Sequence, residues 1–145
     1  MTTTARSLLD QNRTALLRRR VKVIVAFTIS YNVIEGIIAL VAGTAADSAA
    51  LIGFGLDSGV EVLSATAVAW QFTRREPERY EKPVLRVIAF AFFALAAYTI
   101  VGSTLSLTGV TTPESSGVGI ALAAVSVVVM PLLSVVERRT GRELG

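Results

Sequence analysis

The chain has 145 residues, of which 52% are hydrophobic and 17% charged, with a mean hydropathy of +0.62, a formal charge of +3 and a pI near 9.8. Soluble domains carry about 25% charge, and the apolar runs here reach the ~20 residues that one bilayer crossing needs, so a water-soluble globule is excluded. Cysteine and histidine do not occur, which excludes disulfides and zinc sites built on thiolate or imidazole and leaves oxygen ligands for any metal.

Residues 1–22 read as a cytoplasmic segment ending in Arg18, Arg19, Arg20 and Lys22. Within it Leu8, Leu9, Leu16 and Leu17 predict a short amphipathic helix lying on the membrane surface. The membrane domain, 23–136, contains four apolar runs at about 23–42, 48–72, 84–108 and 118–136. A short turn with Asp47 separates the first two, and a charged loop with Pro77 and Lys82 separates the second and third. Gly109, Pro113, Ser115 and Ser116 mark the last loop, and Pro131 predicts a kink in the fourth run. Residues 137–145 form a basic cytoplasmic tail.

Lysine and arginine set the orientation. They lie before the first run, around the central charged loop and after the fourth run, with Arg86 close enough to a helix end to snorkel. The other two loops hold Asp47 and Glu114 and no basic residue. The positive-inside rule then places both termini in the cytoplasm. The expected fold is all-α: a polytopic four-transmembrane-helix bundle, N-in and C-in, in the cell membrane. A cleaved secretory signal is the competing reading of the first run, but the run exceeds a signal core of about 7–15 residues, and it contains Asn32 and Glu35. The basic residues serve topology, and no nucleic-acid-binding motif accompanies them.

Three carboxyl side chains fall inside the apolar runs: Glu35 in the first, Asp57 and Glu61 in the second. Each costs about 2.5–3.5 kcal/mol at the bilayer centre on insertion scales. Asp57 and Glu61, spaced i, i+4, project from one helix face. Their repulsion is relieved by a proton or a cation, and the two compete for ionised carboxylates. By helical rise, Glu35 lies roughly 18 Å from the cytoplasmic start of its run, and Asp57 and Glu61 roughly 22 and 16 Å from the cytoplasmic end of theirs. The three acids could therefore meet near mid-membrane. Tyr31 and Asn32 stand one turn before Glu35, and Ser58 and Ser64 supply hydroxyls nearby. Alternatively the acids form a hydrogen-bonded network between helices and carry no ion. Gly55 and Gly59 form a G-x-x-x-G pair that suits either a dimer seam or room for hydration and helix movement. Alanines in the third and fourth runs suit packing.

The stretch from Ser48 through Ala50-Leu51 to Asp57, nine residues after the serine, and on to Glu61 resembles the second transmembrane helix of cation diffusion facilitators. Tyr31, Asn32 and Glu35 resemble the polar cluster of that family's first helix. The likeness covers residues 23–72, and beyond them only hydropathy and topology agree. It implies a homodimeric exporter of divalent cations, zinc, iron or manganese, in exchange for protons. Asp57 and Glu61 are the implied metal ligands, with Glu35 and Asn32 as accessory groups. Glu61 stands where the family usually has Asp, and histidine is lacking, so the implied site is harder and less selective for zinc. Family members have six helices, the fifth supplying two further ligands, so the resemblance implies that this chain is the N-terminal portion of a longer transporter.

The expected function is thus divalent-cation transport with no resident cofactor. The alternative is a non-transporting membrane protein that binds a partner or regulates a transporter. Catalysis is not expected, since neither a nucleophile–base pair nor a phosphate-cradling loop is present.

Overall fold

In the computed structural model the backbone is described for residues 2–144, and side-chain surroundings for Leu16, residues 19–140 and Arg142. These residues form four helices: α1 (Thr2–Ala45), α2 (Ala49–Phe72), α3 (Pro77–Leu107) and α4 (Gly117–Leu144). All four are long and apolar enough to cross a membrane. Phe90, Phe93 and Leu107 are 77%, 76% and 88% exposed. Water would penalise so much bare apolar surface, whereas lipid tails cover it at no cost. The chain is a multi-pass membrane protein.

The helices outrun the apolar segments. α1 has no break near residue 22: the expected surface helix is the first part of one 44-residue helix. Residues 137–144 likewise continue α4 instead of forming an irregular tail, and Pro131 lies inside it. α3 starts at Pro77, not at residue 84, because proline suits the first helical turn, where its missing N–H has no partner to lose. The carbonyl of that Pro77 accepts from the buried Gln71 Nε2 at 3.1 Å. Arg74 stacks over Trp70 at 4.2 Å, and Trp70 meets Tyr80 edge-on at 5.4 Å. The α2–α3 turn is therefore held by its own side chains.

At the other end of α2 the caps are made of backbone. Past α1, Ser48 N–H donates to Gly43 O at 2.9 Å and Asp47 N–H to Thr44 O at 3.4 Å. Past α3, Val110 N–H donates to Leu105 O at 3.0 Å and Gly109 N–H to Ser106 O at 3.2 Å. Both are Schellman closures, which need a residue of positive φ. Asp47 supplies φ 49 and Gly109 φ 74. Ser48 and Ser116 cap α2 and α4 by accepting from Leu51 N–H and Gly119 N–H. Glu114 N–H reaches Ala46 O at 2.9 Å and joins the two loops.

Two compact units make up the chain, Met1–Thr28 with Val125–Gly145, and Ile29–Ala124. In the first, Thr28 Oγ1 donates to Glu137 Oε1 at 3.2 Å and links α1 to α4. The second is organised around α2, whose small residues admit a neighbour on several sides. A Cβ at Gly55 would stand 3.0 Å from both Gly36 O and Leu40 N, so α1 and α2 approach backbone to backbone there. On another side Gly102 of α3 lies against Ala49, and Gly119 of α4 against Leu51. Gly59, one turn from Gly55, meets nothing within 4 Å. Within the chain, therefore, only the first glycine of the G-x-x-x-G pair sits in a seam.

Two outcomes follow. Gly109→Ala has room for its methyl and should lose about 1 kcal/mol through backbone strain alone, while Asp47→Gly should gain a comparable amount; thermal unfolding in detergent reads both. Gly55→Ala should cost about 1–3 kcal/mol by overpacking, with Gly59→Ala near neutral in the same assay. Equal effects at the two glycines would contradict the seam.

Candidate functional site

The α1–α2 approach buries a polar cluster. Asn32, Glu35 and Ser58 are 1%, 4% and 2% exposed, in a unit whose buried hydrophobic side chains are few and mostly small. Glu35 Oε1 accepts from Tyr31 OH at 2.9 Å, one turn back on the same helix. Its Oε2 accepts from Ser58 Oγ of α2, also at 2.9 Å. The Ser58 hydroxyl lies 3.3 Å from Phe54 O as well, a longer and weaker contact. In hydrocarbon an unpartnered polar group costs several kcal/mol, and both Glu35 oxygens have a partner. The cluster can form because Gly36 and Gly55, next to it in space, hold no side chains that would keep the helices apart.

Asp57 is the neighbour of Ser58 in sequence, but about 100° around the helix it meets different surroundings. It is half-buried and lines a cavity of about 710 Å³ between α2 and α3, which Pro113 of the following loop also lines. Ser48, Thr99, Ser103 and Ser106 are the hydroxyl residues of that cavity, with Gly53 and Gly102 giving it width. Thr99 donates its hydroxyl to Leu95 O at 2.9 Å, and Ser106 shares a 3.1 Å hydrogen bond with Thr111. Their oxygens still carry lone pairs for a cation or water.

The sequence-derived candidates therefore separate. Glu35 and Asn32 are buried in the α1–α2 seam, with Tyr31 and Ser58 as hydroxyl donors to Glu35. Asp57 faces the α2–α3 cavity. Glu61, one turn on from Asp57, is half-buried and is not among the residues lining that cavity. Ser64 spends its hydroxyl on Val60 O at 2.7 Å, within its own helix. Among the described residues no three Asp, Glu, His or Cys side chains converge to hold a metal ion. The α3 contribution was missed from sequence, although Thr99, Gly102, Ser103 and Ser106 recur at the three- and four-residue steps of one helix face.

Comparison with family models, curated proteins and solved structures finds no match to this chain.

The Glu35–Ser58 hydrogen bond links α1 to α2 through side chains, and it gives a test. Ser58→Ala should lower stability in detergent by about 1 kcal/mol, the scale of interhelical hydrogen bonds in membrane proteins. Tyr31→Phe, which removes a bond inside one helix, should lower it less. The reverse order would show that the cluster does not join the helices.

Proposed function

We propose that the chain is the cation-handling part of a divalent-metal transporter of the cation diffusion facilitator kind, exporting zinc, iron or manganese in exchange for protons. The observation that carries this reading is Asp57: a carboxyl group inside an apolar helix, facing a cavity of about 710 Å³ furnished with hydroxyl oxygens. An intramembrane acid is costly unless something uses it, and polar cavities at that depth mark ion pathways. In this proposal Glu61, at the i+4 step but outside the cavity's lining, is the second metal ligand and proton acceptor. Glu35 and Asn32, already buried in the helix seam, support the ligands and do not hold the ion themselves.

Chemistry favours a hard, oxygen-liganded ion. Divalent cations of this class take four to six ligands or more, and two carboxylates supply only part of that shell. Hydroxyls of the cavity, water and a second copy of the chain complete it in this proposal. Loading requires ionised carboxylates, so protons entering from the other side displace the metal. The orientation is N-in and C-in in the cell membrane, from the placement of Lys and Arg.

A second reading has its own support. Both oxygens of Glu35 are satisfied within the protein, and among the described residues no group of three potential ligands converges. A non-transporting membrane protein that binds a partner or regulates a transporter fits those facts.

Titration of Mn²⁺, Fe²⁺ or Zn²⁺ into the detergent-solubilised chain separates the two. Transport predicts binding that Asp57→Ala weakens at least about tenfold, in line with the sensitivity of metal sites to their supporting groups, and proton-driven uptake into vesicles that is lost in the same variant. A silent titration of the intact, folded chain favours the regulatory reading. Uptake unchanged by Asp57→Ala would remove Asp57 from the mechanism.

A further inference from the structure

A groove of about 670 Å³ between α2 and α3 serves no part of the cation reading. It runs along α2 from Gly59 through Leu63 and Thr66 to Trp70, and Pro83, Val84 and Val87 of α3 form its other wall. The α2 positions recur at steps of three and four, so they share one helix face. The lining is apolar but for the Thr66 hydroxyl and the Trp70 indole N–H. The eleven residues from Gly59 to Trp70 rise about 16 Å, half of a ~30 Å hydrocarbon core. At its inner end the groove stops. One turn before Gly59 stand Leu56 and Gly55, and Gly55 is closed against Gly36 and Leu40 of α1. At its outer end Arg74 lies over Trp70 at 4.2 Å, with the Tyr80 ring at 5.9 Å.

We infer that this groove seats one phospholipid of the leaflet on the side of the α2–α3 turn, an acyl chain lying between Gly59 and Trp70 and the phosphodiester on Arg74. Depth decides between occupants. A helix of a second copy crosses both leaflets and needs a groove that continues past Gly59, whereas an acyl chain ends at the midplane. Gly59 meets no atom of this chain within 4 Å, which leaves the inner end wide enough for the last carbons of the lipid. Arg74 provides the headgroup contact. Stacking on Trp70 occupies the face of the guanidinium and leaves its in-plane N–H groups for phosphate oxygens. The turn also carries Glu76, Glu78 and Glu81 beside Arg75, Arg79 and Lys82. Among the described residues, however, no carboxylate forms an ion pair with Arg74, whose contacts are the two rings. Indole and phenol rings at this level are at home among headgroups. The inference is independent of metal transport, since neither Asp57 nor the hydroxyls of its cavity line the groove.

Trp70 is the only tryptophan of the chain, so its fluorescence reads the mouth of the groove without a label. The intact chain is placed in phosphatidylcholine vesicles in which part of the lipid is replaced by chain-brominated phosphatidylcholine, or by diacylglycerol brominated in the same way. Quenching as a function of that fraction gives the binding of each lipid relative to the unlabelled host. The phosphate-bearing lipid should bind about fivefold more tightly than the diacylglycerol, the scale of one arginine near a membrane surface. Arg74→Gln should abolish that preference, and Arg75→Gln, in the same turn, should keep it. Gly59→Leu fills the inner end and should weaken quenching by the phospholipid, while Ala97→Leu, at an exposed position outside the groove, should not. Equal binding of the two lipids to the wild type would overturn the phosphate contact, and that comparison needs no variant. Equal effects of Gly59→Leu and Ala97→Leu would refute the seating of the acyl chain. Weak quenching by both lipids that grows as the chain is diluted in the bilayer would give the groove to a second copy and overturn the proposal.

Discussion

Everything in the larger unit depends on how closely α1 and α2 can approach. Two glycines, Gly36 and Gly55, let the backbones come within contact distance, and that proximity is what carries Ser58 to Glu35. Lipid gives helices no hydrophobic reason to associate, so packing of small residues and hydrogen bonds between helices must do it. Here the two arrive together. Any side chain at Gly55 would push against backbone atoms, and the 2.9 Å bond from Ser58 to Glu35 would lengthen with the seam.

From that seam the rest of the unit can be built outward. With one face of α2 closed against α1, the face bearing Asp57 is turned to α3, where Gly53 and Gly102 keep the floor of the cavity low. The same helix therefore presents one acid-bearing face that is open and another, occupied by Glu35, that is sealed. Two adjacent positions, 57 and 58, serve opposite purposes because a helix turns about 100° per residue. The first group borders a cavity, whereas the second is already bonded within the protein.

Much of this was legible in the residues. Four apolar runs gave four membrane helices, and the acids in the first two marked the polar part of the unit. The hydroxyl partners of Glu35 were also within reach, since Tyr31 lies one turn away and Ser58 was a candidate. What the sequence could not give was the direction of each face. Asp57, Glu61 and Glu35 share a depth, but depth alone says nothing of azimuth, and the expected meeting of all three gave way to two separate surroundings. Helix ends were misjudged for a related reason. Hydropathy ends where charge begins, at Lys22, Lys82 and Glu137, but hydrogen bonding along the backbone does not stop at charged residues, and arginine, glutamate and lysine are good helix formers. Spacing likewise does not tell the two glycines apart: Gly55 packs against α1, whereas Gly59 meets no atom of this chain within 4 Å.

The closures at Asp47 and Gly109 bear on how the protein sits in bilayers of different depth. Their carbonyls are satisfied by the chain itself, but Asp47 and Glu114 are exposed carboxylates on that rim and hold it out of the hydrocarbon. The opposite rim is unlike it: Trp70, Tyr80 and Arg74 form an amphipathic girdle that belongs at the headgroup level. Both edges are therefore moored, and a thicker or thinner membrane is met by helix tilt or by local deformation of the bilayer. The Asp57 cavity, whose lining runs to Ser48, Leu107 and Pro113, ends beside the rim that Asp47 and Glu114 keep in water.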